Sequence, residues 1–386
     1  MSTVEPHVEV YNVDTIPTTE YGRAGKVALI GAFPTSTFKL DLFTSVTAAK
    51  TALRGEVDES ALANYPAWTC LDYIFYNRNM RGVESVVIYN TNYDKGTLAT
   101  SSDNTDIAAA CTALAEEKFD ILTVAEPINL TASVTVESET TTILNPIFST
   151  LKTFVDNQFY VQKPFGIITG ISLTNATLAF LAEFKELFKK QGIFKAVITP
   201  IKFNGEANPL TIEQSGCWHA AYTAGRAVNK SETAKVYPDL IGNNTKDTYP
   251  QSTAVGAITF DTLRENGFHT TTYKDRRQQT IKCISNITPV LYDMKIERVK
   301  NYMIRRLTLE DILGDDHNSI TKDYVKGMFE FEKNLAIKAG YIVDMEYTIT
   351  SIDSETVQAE VILYIPDVIR VIKLNVAVRI SGYEEV

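Results

Sequence analysis

The hydrophobic pattern changes character along the chain, and the change predicts two differently built parts. Up to about residue 270, short apolar runs that suit buried strands alternate with stretches in which apolar residues recur every three to four positions. The apolar runs lie at residues 26–31, 83–89, 119–125, 165–171 and 195–200. Because strands alternate with helices here, we predict an α/β layer with a mostly parallel sheet.

Helix limits in this first part are predicted from caps and spacing. Residues 142–158 have the spacing of a helix. Asn175 is expected to cap the next helix, because its side chain can accept bonds from the first turn. Ser215 is expected to cap a later helix that runs through Ala227.

The part after about residue 286 is predicted to be an α+β unit of two helices on a small sheet. The helices are expected at 292–307 and 321–339. The second helix is expected to bury four apolar residues at helical spacing: Tyr324, Met328, Phe331 and Leu335. Strands with alternating apolar residues are expected at 343–349, 357–365 and 372–380.

These patterns divide the chain into two domains and two terminal arms. We predict an N-terminal linking arm at 1–25, an α/β domain at 26–270, an α+β domain at 271–368 and a C-terminal linking arm at 369–386. No window approaches 18 uninterrupted apolar residues, and the first residues lack the regions of a signal peptide. We therefore expect a soluble chain that is made in the cytoplasm and does not insert into a membrane.

The usual catalytic and metal-binding residues are few and scattered. The 386 residues include four His and four Cys, without CxxC or HExxH spacing, so we predict no catalytic residue, no cofactor and no metal site. The segment Gly22-Arg-Ala-Gly25-Lys26 lacks the spacing of a phosphate loop and is interpreted as a turn before a strand. Cys217 and His219 lie two residues apart on a predicted helix, so they point to different faces and are expected to be core residues.

One basic region stands out in an acidic chain. The net charge is −10, yet residues 270–310 hold nine Lys or Arg against four Asp or Glu. Within the helix at 292–307, Lys295, Arg298 and Arg305 form a stripe beside the apolar face. This stripe is either an ordinary solvated face or a docking strip for an acidic partner. Nucleic acid is a weaker alternative, because no nucleic-acid motif accompanies the charges.

Both ends of the chain have the pattern of strands. The apolar positions are Val8, Val10 and Val13 near the start, and Ile372, Leu374, Val376, Val378 and Ile380 near the end. An unpaired apolar strand invites aggregation, so each end is expected to be paired. Pairing within the monomer is one possibility, and strand addition to neighbouring subunits is the other. Head-to-tail addition would build rings or open helices.

In their order along the chain, several segments resemble those of contractile tail sheath proteins of the short, P2-like or R-type-pyocin-like class. They are Val8-Glu-Val-Tyr-Asn-Val-Asp14, Val27-Ala-Leu-Ile-Gly-Ala32, Lys195-Ala-Val-Ile-Thr-Pro200, the Ala- and Gly-rich stretch 219–227, Leu263-Arg-Glu-Asn-Gly-Phe268 and Ala339-Gly-Tyr-Ile-Val-Asp344. The chain departs from the family's N-R-T-like element at Cys283-Ile-Ser-Asn-Ile-Thr288. The similarity extends over the whole length.

The resemblance implies a structural subunit of a contractile injection device. Such subunits form hexameric rings that stack into a helical cylinder around a tail tube and contract to drive the tube through the target envelope. The implied partners are other copies of the chain, the tail tube protein, and baseplate and tail terminator proteins, with no direct contact to nucleic acid. The implied location is a virion tail, where contraction accompanies genome ejection, or a bacteriocin or other injection particle, assembled in the host cytoplasm.

The same resemblance assigns roles to the residues above. The eight apolar residues of the two ends are implied to contact neighbouring subunits and to complete a small sheet on the C-terminal domain. Gly22 and Gly25 are plausible arm hinges. The C-terminal domain is implied to lie inside, with Lys295, Arg298 and Arg305 facing the tube, and the α/β domain outside. Two alternatives stay open, namely an α/β enzyme of unknown substrate and a non-contractile tail or baseplate scaffold of related fold.

Overall fold

The computed structural model describes residues 25–75, 83–136, 138–160, 163–189, 194–198, 200–203, 206–228, 230–232, 236–241, 258, 260–275, 280–285, 288–289, 293–307, 319–351 and 357–366. Gly22 and the apolar residues of both predicted arms, at 8–13 and 372–380, lie outside these residues. Within the described parts, no helix is both long enough and apolar enough to span a bilayer.

The first part of the chain alternates strands and helices as predicted. Its elements, in chain order, are β1 (Lys26–Gly31), β2 (Leu40–Phe43), α1 (Val46–Leu53), α2 (Glu59–Leu62), α3 (Pro66–Ile74), β3 (Ser85–Asn90), α4 (Asn104–Leu114), β4 (Ile121–Val124), β5 (Ile128–Asn129), β6 (Thr131–Val136), β7 (Glu139–Leu144), α5 (Ile147–Tyr160), β8 (Gly166–Ser172), α6 (Leu178–Phe188), β9 (Phe194–Val197), β10 (Lys202–Phe203), α7 (Ile212–Ala224), β11 (Val236–Ile241), α8 (Phe260–Glu265), β12 (Phe268–Asp275) and β13 (Thr280–Ser285). The second part contains α9 (Met294–Arg306), α10 (Ser319–Lys338), β14 (Asp344–Ser351) and β15 (Val357–Tyr364).

The large sheet has the mostly parallel order that the sequence predicted. Its strands follow the order β10-β11-β13-β12-β9-β8-β4-β1-β3-β2, and the central run from β9 to β3 is parallel throughout. One face packs against α4, α5 and α6, and the other packs against α1, α3 and α7. This three-layer arrangement confirms the predicted α/β fold of the first part.

Helix α7 lies unusually close to the sheet. A Cβ atom added at Gly170 of β8 would come within 2.0 Å of the Ile212 carbonyl oxygen, and one added at Gly216 would come within 2.1 Å of the Gly170 nitrogen. Both glycines are therefore required by backbone contact. The expectation that Cys217 and His219 are core residues of this helix is confirmed, because both are fully buried.

Three predicted helix limits are wrong. The helix expected from residue 142 begins at Ile147, because residues 139–144 pair with β6 as a hairpin. Asn175 adopts a left-handed backbone conformation, and Thr177 is the N-cap of α6. Ser215 lies inside α7, which ends at Ala224.

Helix α7 is capped four residues before the predicted position. The Thr211 hydroxyl accepts a bond from the backbone N–H of Gln214, whose side chain in turn accepts a bond from the backbone N–H of Thr211. This reciprocal capping box satisfies two donors of the first turn, so the helix begins there. The Ser215 hydroxyl instead donates to the Thr211 carbonyl oxygen at 2.8 Å.

The second part has the predicted two helices on a small sheet. β14 and β15 pair antiparallel over eight residue pairs, from Asp344 opposite Tyr364 to Ser351 opposite Val357. Their inward side chains pack with α9 and α10 around Val299, Met303 and Phe329. The predicted domain boundary at 270/271 falls inside β12, a strand of the large sheet. The division into domains stays a prediction.

The face of α10 that packs inward differs from the predicted one. Tyr324 and Phe331 are 58% and 60% exposed, and Leu335 is also exposed. The buried line runs one position later along the helix: Val325, Phe329, Glu332 and Ala336. Both lines have helical spacing, so periodicity alone could not choose between them.

Candidate assembly surface of the C-terminal part

Exposed apolar side chains concentrate in the second part of the chain. Eleven large hydrophobic residues are exposed among the described residues, and seven of them lie between positions 324 and 364. These seven are Tyr324, Phe331, Leu335, Ile337, Val343, Ile362 and Tyr364. Each exposed apolar group gains free energy when it leaves water, so these residues are candidates for contacts with a partner.

The two-stranded sheet adds unpaired backbone to this surface. In the described part of the chain, β14 pairs only with β15, so each strand leaves one edge without a strand partner. An open edge offers a row of N–H and C=O groups to an incoming strand. The residues that lie between β14 and α10 are buried, as at Met345, so one face of the sheet already belongs to the core.

The predicted basic stripe on α9 is not exposed, so the expectation of a solvated or docking strip is wrong. Lys295, Arg298 and Arg305 are each less than a tenth exposed. Arg305 donates to an Asp120 carboxylate oxygen at 2.6 Å and to the Phe119 carbonyl oxygen at 3.0 Å. The periodicity of α9 predicted a polar side of the helix but could not reveal that the interior supplies the partners for its charges.

The other two cations of the stripe also bond within the chain. Arg298 donates to the carbonyl oxygens of Arg226, at 2.9 Å, and Ala227, at 3.4 Å, just after α7. The Lys295 ammonium donates to the carbonyl oxygen of Pro366, at the end of the described chain. Together, these bonds tie α9 to the large sheet, to the end of α7 and to the exit of the small sheet.

Burial also shifts the acidity of this network. Desolvation lowers the pKa of Arg298 to about 10, although Asp120 opposes the shift. Desolvation likewise raises the pKa of Asp120, and this effect exceeds the attraction of Arg305 and Arg298. The network therefore has the properties of a buried structural ion cluster, whose cations a partner cannot reach without unpacking α9.

Gly25, the described member of the predicted hinge pair, lies at the start of β1. Its φ angle of 113° is left-handed, and a Cβ atom there would lie 3.1 Å from the Glu84 nitrogen. Its carbonyl oxygen accepts a 2.9 Å bond from the Glu84 N–H. Glycine is thus required at this position for conformational reasons. The hinge role itself stays a prediction.

The place where an α/β enzyme would bind a ligand is filled by the chain's own residues. In open parallel sheets that place lies beyond the carboxyl ends of the strands where the order reverses, which here is between β1 and β4. Glu126 occupies it, and its Oε1 accepts bonds from the Ala32 N–H at 2.8 Å and the Ser102 hydroxyl at 2.7 Å. Burial raises the pKa of Glu126 to about 7.

A second perturbed cluster lies deeper in the sheet. The Lys195 ammonium bonds to Glu232 at 2.7 Å, and both side chains are fully buried. Although burial acts to raise it, the charges of Lys195 and His269 lower the pKa of Glu232 to about 2. Tyr237 donates to the same carboxylate at 2.9 Å. The cluster is satisfied internally and leads to no described cavity.

A groove of about 480 Å³ lies between α4 and α5. Its lining is mainly Thr, Ala, Asn and Gln, and Cys111 is its ionisable group. Burial raises the pKa of Cys111 to about 12, so the thiol is a poor nucleophile at neutral pH. Among the described residues, no group of three His, Cys, Asp or Glu could hold a metal ion.

Sequence reasoning missed Glu126, the Lys195–Glu232 pair and the exposed face of α10. The first two lie in apolar surroundings that only the tertiary fold creates, and single charged residues after a strand carry no motif. For α10, the signal was present, since two apolar lines on one helix exceed what a single core contact needs.

Comparison with solved structures identifies proteins of the same fold. The chain matches the sheath tail protein of Listeria innocua at a TM-score of 0.56 and 12% identity, over 90% of this chain and 96% of that one. It matches a chain of the anti-feeding prophage baseplate at a TM-score of 0.59 and 11% identity, over 98% and 100%. It also matches the contracted sheath complex of an extracellular contractile injection system, PVC, at a TM-score of 0.52 and 12% identity, over 98% of each chain.

No protein-family model and no curated protein sequence matches the chain. At 11–12% identity, the structural matches establish the fold. They cover nearly the whole of both chains, so the agreement includes both the large sheet and the C-terminal part. The chain therefore has the fold of contractile tail sheath proteins.

Proposed function

We propose that the chain is the structural subunit of a contractile tail sheath. In this proposal, copies form hexameric rings that stack around a tail tube and contract to drive the tube through a target envelope. The exposed apolar residues and open sheet edges of the C-terminal part, among the described residues, carry the proposal, because both gain free energy from contact with a partner. The fold shared with sheath proteins over nearly the whole chain supports it.

The partners follow from the same proposal. Other copies of the chain supply the main contacts, and the tail tube, baseplate and tail terminator proteins supply the rest. A match to a six-fold symmetrised baseplate supports ring formation, and a match to a contracted sheath supports contraction. The tube contact is assigned to other residues of the C-terminal part, because Lys295, Arg298 and Arg305 are buried.

Contraction needs no active site if the contracted state gains interface. Burial of a further ~100 Å² of apolar surface per subunit is worth about 2.5 kcal/mol at ~25 cal/mol per Å². Summed over all subunits of a cylinder, this free energy is large. Gly25 and Gly22 are proposed as the points at which the N-terminal arm turns while the folded parts move as rigid bodies.

Electron microscopy of the purified full-length chain tests the proposal. Hollow cylinders are expected at high protein concentration. Deletion of residues 1–20 or 370–386 is expected to leave a folded chain that no longer polymerises. A chain that stays monomeric at every concentration would overturn the proposal, and unfolding after either deletion would place that arm in the monomer's own core.

A non-contractile baseplate or tail scaffold is the second candidate. The match to a chain of the anti-feeding prophage baseplate favours it. The two candidates differ in polymer length, since a scaffold would stop at single rings whereas a sheath subunit would stack them. Images of the same preparation therefore separate them.

A further inference from the structure

Two cysteines that are far apart in the sequence meet in the core beside the large sheet. Cys70 lies on α3 and Cys217 lies on α7, and both side chains are fully buried. Their thiols are hydrogen-bonded to each other. The Cys217 sulfur also lies 3.8 Å from the hydroxyl oxygen of Thr123 in β4. The two thiols therefore lie between a pair of helices and the centre of the sheet.

The packing of α3 and α7 holds the two thiols in place. The Gln214 side-chain nitrogen donates to the Thr69 hydroxyl at 2.9 Å, so a direct bond joins the two helices within one turn of each cysteine. A Cβ atom added at Gly31 of β1 would come within 2.4 Å of the Ala67 Cβ atom, so α3 packs as closely on the sheet as α7 does. The two helices therefore lie side by side on one face, with the thiols at their contact.

Both cysteines are free thiols and are protected while the interior is closed. Burial raises the pKa of Cys70 well above its ordinary value, and the bond with Cys217 adds to the rise. The thiolate is the form that attacks a disulfide. The pair is therefore expected to react when α3 and α7 open locally, or before they pack together during folding.

We propose that Cys70 and Cys217 form a redox site, at which oxidation produces a disulfide that joins α3 to α7. The contact between the thiols provides the arrangement that a disulfide needs, with two side chains that point towards each other. In the unfolded chain this disulfide would close a long loop and lower the conformational entropy, so it would stabilise the folded chain. The inference does not depend on the proposed function, because both cysteines belong to one chain.

A small-molecule disulfide, here oxidised glutathione, serves as the oxidant. The thiolate of one cysteine attacks a glutathione sulfur, forms a mixed disulfide and releases the first glutathione as a thiolate. The thiolate of the other cysteine attacks the protein sulfur of the mixed disulfide and releases the second glutathione. The two cysteines lose two electrons and two protons, and one oxidised glutathione takes these up to become two reduced molecules.

Peptide mapping of the full-length chain by mass spectrometry tests the inference. The chain is incubated with oxidised glutathione in urea below the unfolding midpoint, where local opening is more frequent. It is then alkylated in full denaturant and digested with trypsin without a reductant. Cleavage after Lys and Arg places each of the four cysteines in its own peptide: 55–78, 96–118, 203–226 and 283–295. A disulfide between peptides 55–78 and 203–226 is expected, with Cys111 and Cys283 alkylated.

Urea unfolding of the same samples measures the stabilisation. The midpoint of the oxidised chain is expected to lie about 1 M higher than that of the reduced chain, and dithiothreitol is expected to remove the shift. C70A and C217A chains are expected to lose both the disulfide and the shift. A C111A chain is the matched control, because Cys111 is also a buried free cysteine, and it is expected to keep both.

Two kinds of outcome overturn the inference. One is a peptide map in which all four cysteines are alkylated after oxidation, or in which the disulfide involves Cys111, Cys283 or a second copy of the chain. The other is a midpoint shift that persists in the C70A chain or is absent from the linked original chain. If C70A misfolds by circular dichroism, the map of the original chain still decides. Polymerisation is measured separately, so the inference and the proposed function can fail independently.

Discussion

Replacement of Glu126 by Gln should remove a large pH dependence of stability. The Glu126 carboxyl is almost fully buried between the ends of β1 and β4. Burial raises its pKa from the ordinary value of 4.5 to about 7, against the opposing bonds from Ser102 and Ala32, and the negative charge of Glu213 adds to the rise. The folded chain therefore holds a proton at mildly acidic pH that the unfolded chain has already lost.

The sign and size follow from this difference. Between pH 4.5 and 7, unfolding releases the Glu126 proton, so rising pH lowers the free energy of unfolding until the folded carboxyl has also ionised near pH 7. From pH 5 to pH 8 the loss from this group is about 2.5 kcal/mol, at ~1.4 kcal/mol per pH unit. Gln cannot ionise, so the variant lacks this loss.

The E126Q chain retains most of the local bonding. The Gln oxygen can still accept from the Ala32 N–H and the Ser102 hydroxyl, but its NH₂ replaces an oxygen atom, Oε2, that is buried without a described partner. That unpaired donor costs about 1–3 kcal/mol at every pH. The informative quantity is therefore how the difference between variant and original changes with pH.

Urea unfolding of the unassembled chain measures that difference. Tryptophan fluorescence from pH 5 to 8 should show the free energy of E126Q minus that of the original chain rising by about 2.5 kcal/mol. An E56Q chain is the matched control, because Glu56 is exposed. A difference for E126Q that stays constant within ~0.5 kcal/mol across this range would refute the argument that Glu126 is protonated in the folded chain.

Three further predictions concern buried groups and glycines. Arg305→Met leaves the Asp120 carboxylate buried without its closest cation, so urea unfolding should show a free energy of unfolding lower by ~3–5 kcal/mol. Adding D120N to this variant should partly restore the free energy of unfolding. A decrease of less than ~1 kcal/mol would contradict a stabilising buried pair. Burial lowers the pKa of His219, so below pH ~6.5 the unfolded chain binds a proton that the folded chain does not, and the free energy of unfolding falls as the pH falls. Between pH 6.5 and 5, the free energy of unfolding of H219N should fall less than that of the original chain. Equal slopes would contradict this prediction. In Gly327→Ala, the added methyl group of α10 lies in open space, so the free energy of unfolding should rise by ~1 kcal/mol. In Gly216→Ala, the methyl group would lie 2.1 Å from the backbone of β8, so the free energy of unfolding should fall by ~1–3 kcal/mol in the same assay.

The sequence predicted the elements of the fold better than their ends and faces. Strands β1 and β3 were predictable because a strand in a parallel sheet is buried on both faces. Its sequence is therefore a short, continuous apolar run. The start of α7 was misplaced because Thr211 and Ser215 are both good caps, and only Gln214 completes the box with Thr211. Such choices depend on a side chain three residues away.

The candidate site was harder to predict, for a physical reason. A charged stripe such as Lys295, Arg298 and Arg305 has the same spacing whether water or the protein interior surrounds it. The outcome depends on Asp120 and on carbonyl oxygens near residues 226 and 366, all distant in sequence. The apolar line of α10 that contains Tyr324 and Phe331 was predicted to be buried, but the equally regular line one position later, with Val325 and Phe329, faces the core.

The buried cations of α9 limit where the proposed contraction can act. Arg305 bonds to Asp120, just before β4, and Arg298 bonds to the carbonyl oxygen of Arg226, just after α7. Lys295 bonds to the carbonyl oxygen of Pro366, just after the small sheet. A relative movement of the large sheet and the C-terminal part would break the Arg305–Asp120 ion pair and the Arg298 bonds to carbonyl oxygens, and a buried charge left without its partner costs several kcal/mol. In the proposed contraction, the two parts are therefore expected to move together as one body. The proposed shape change would then lie between copies, at the contacts that the exposed C-terminal residues make.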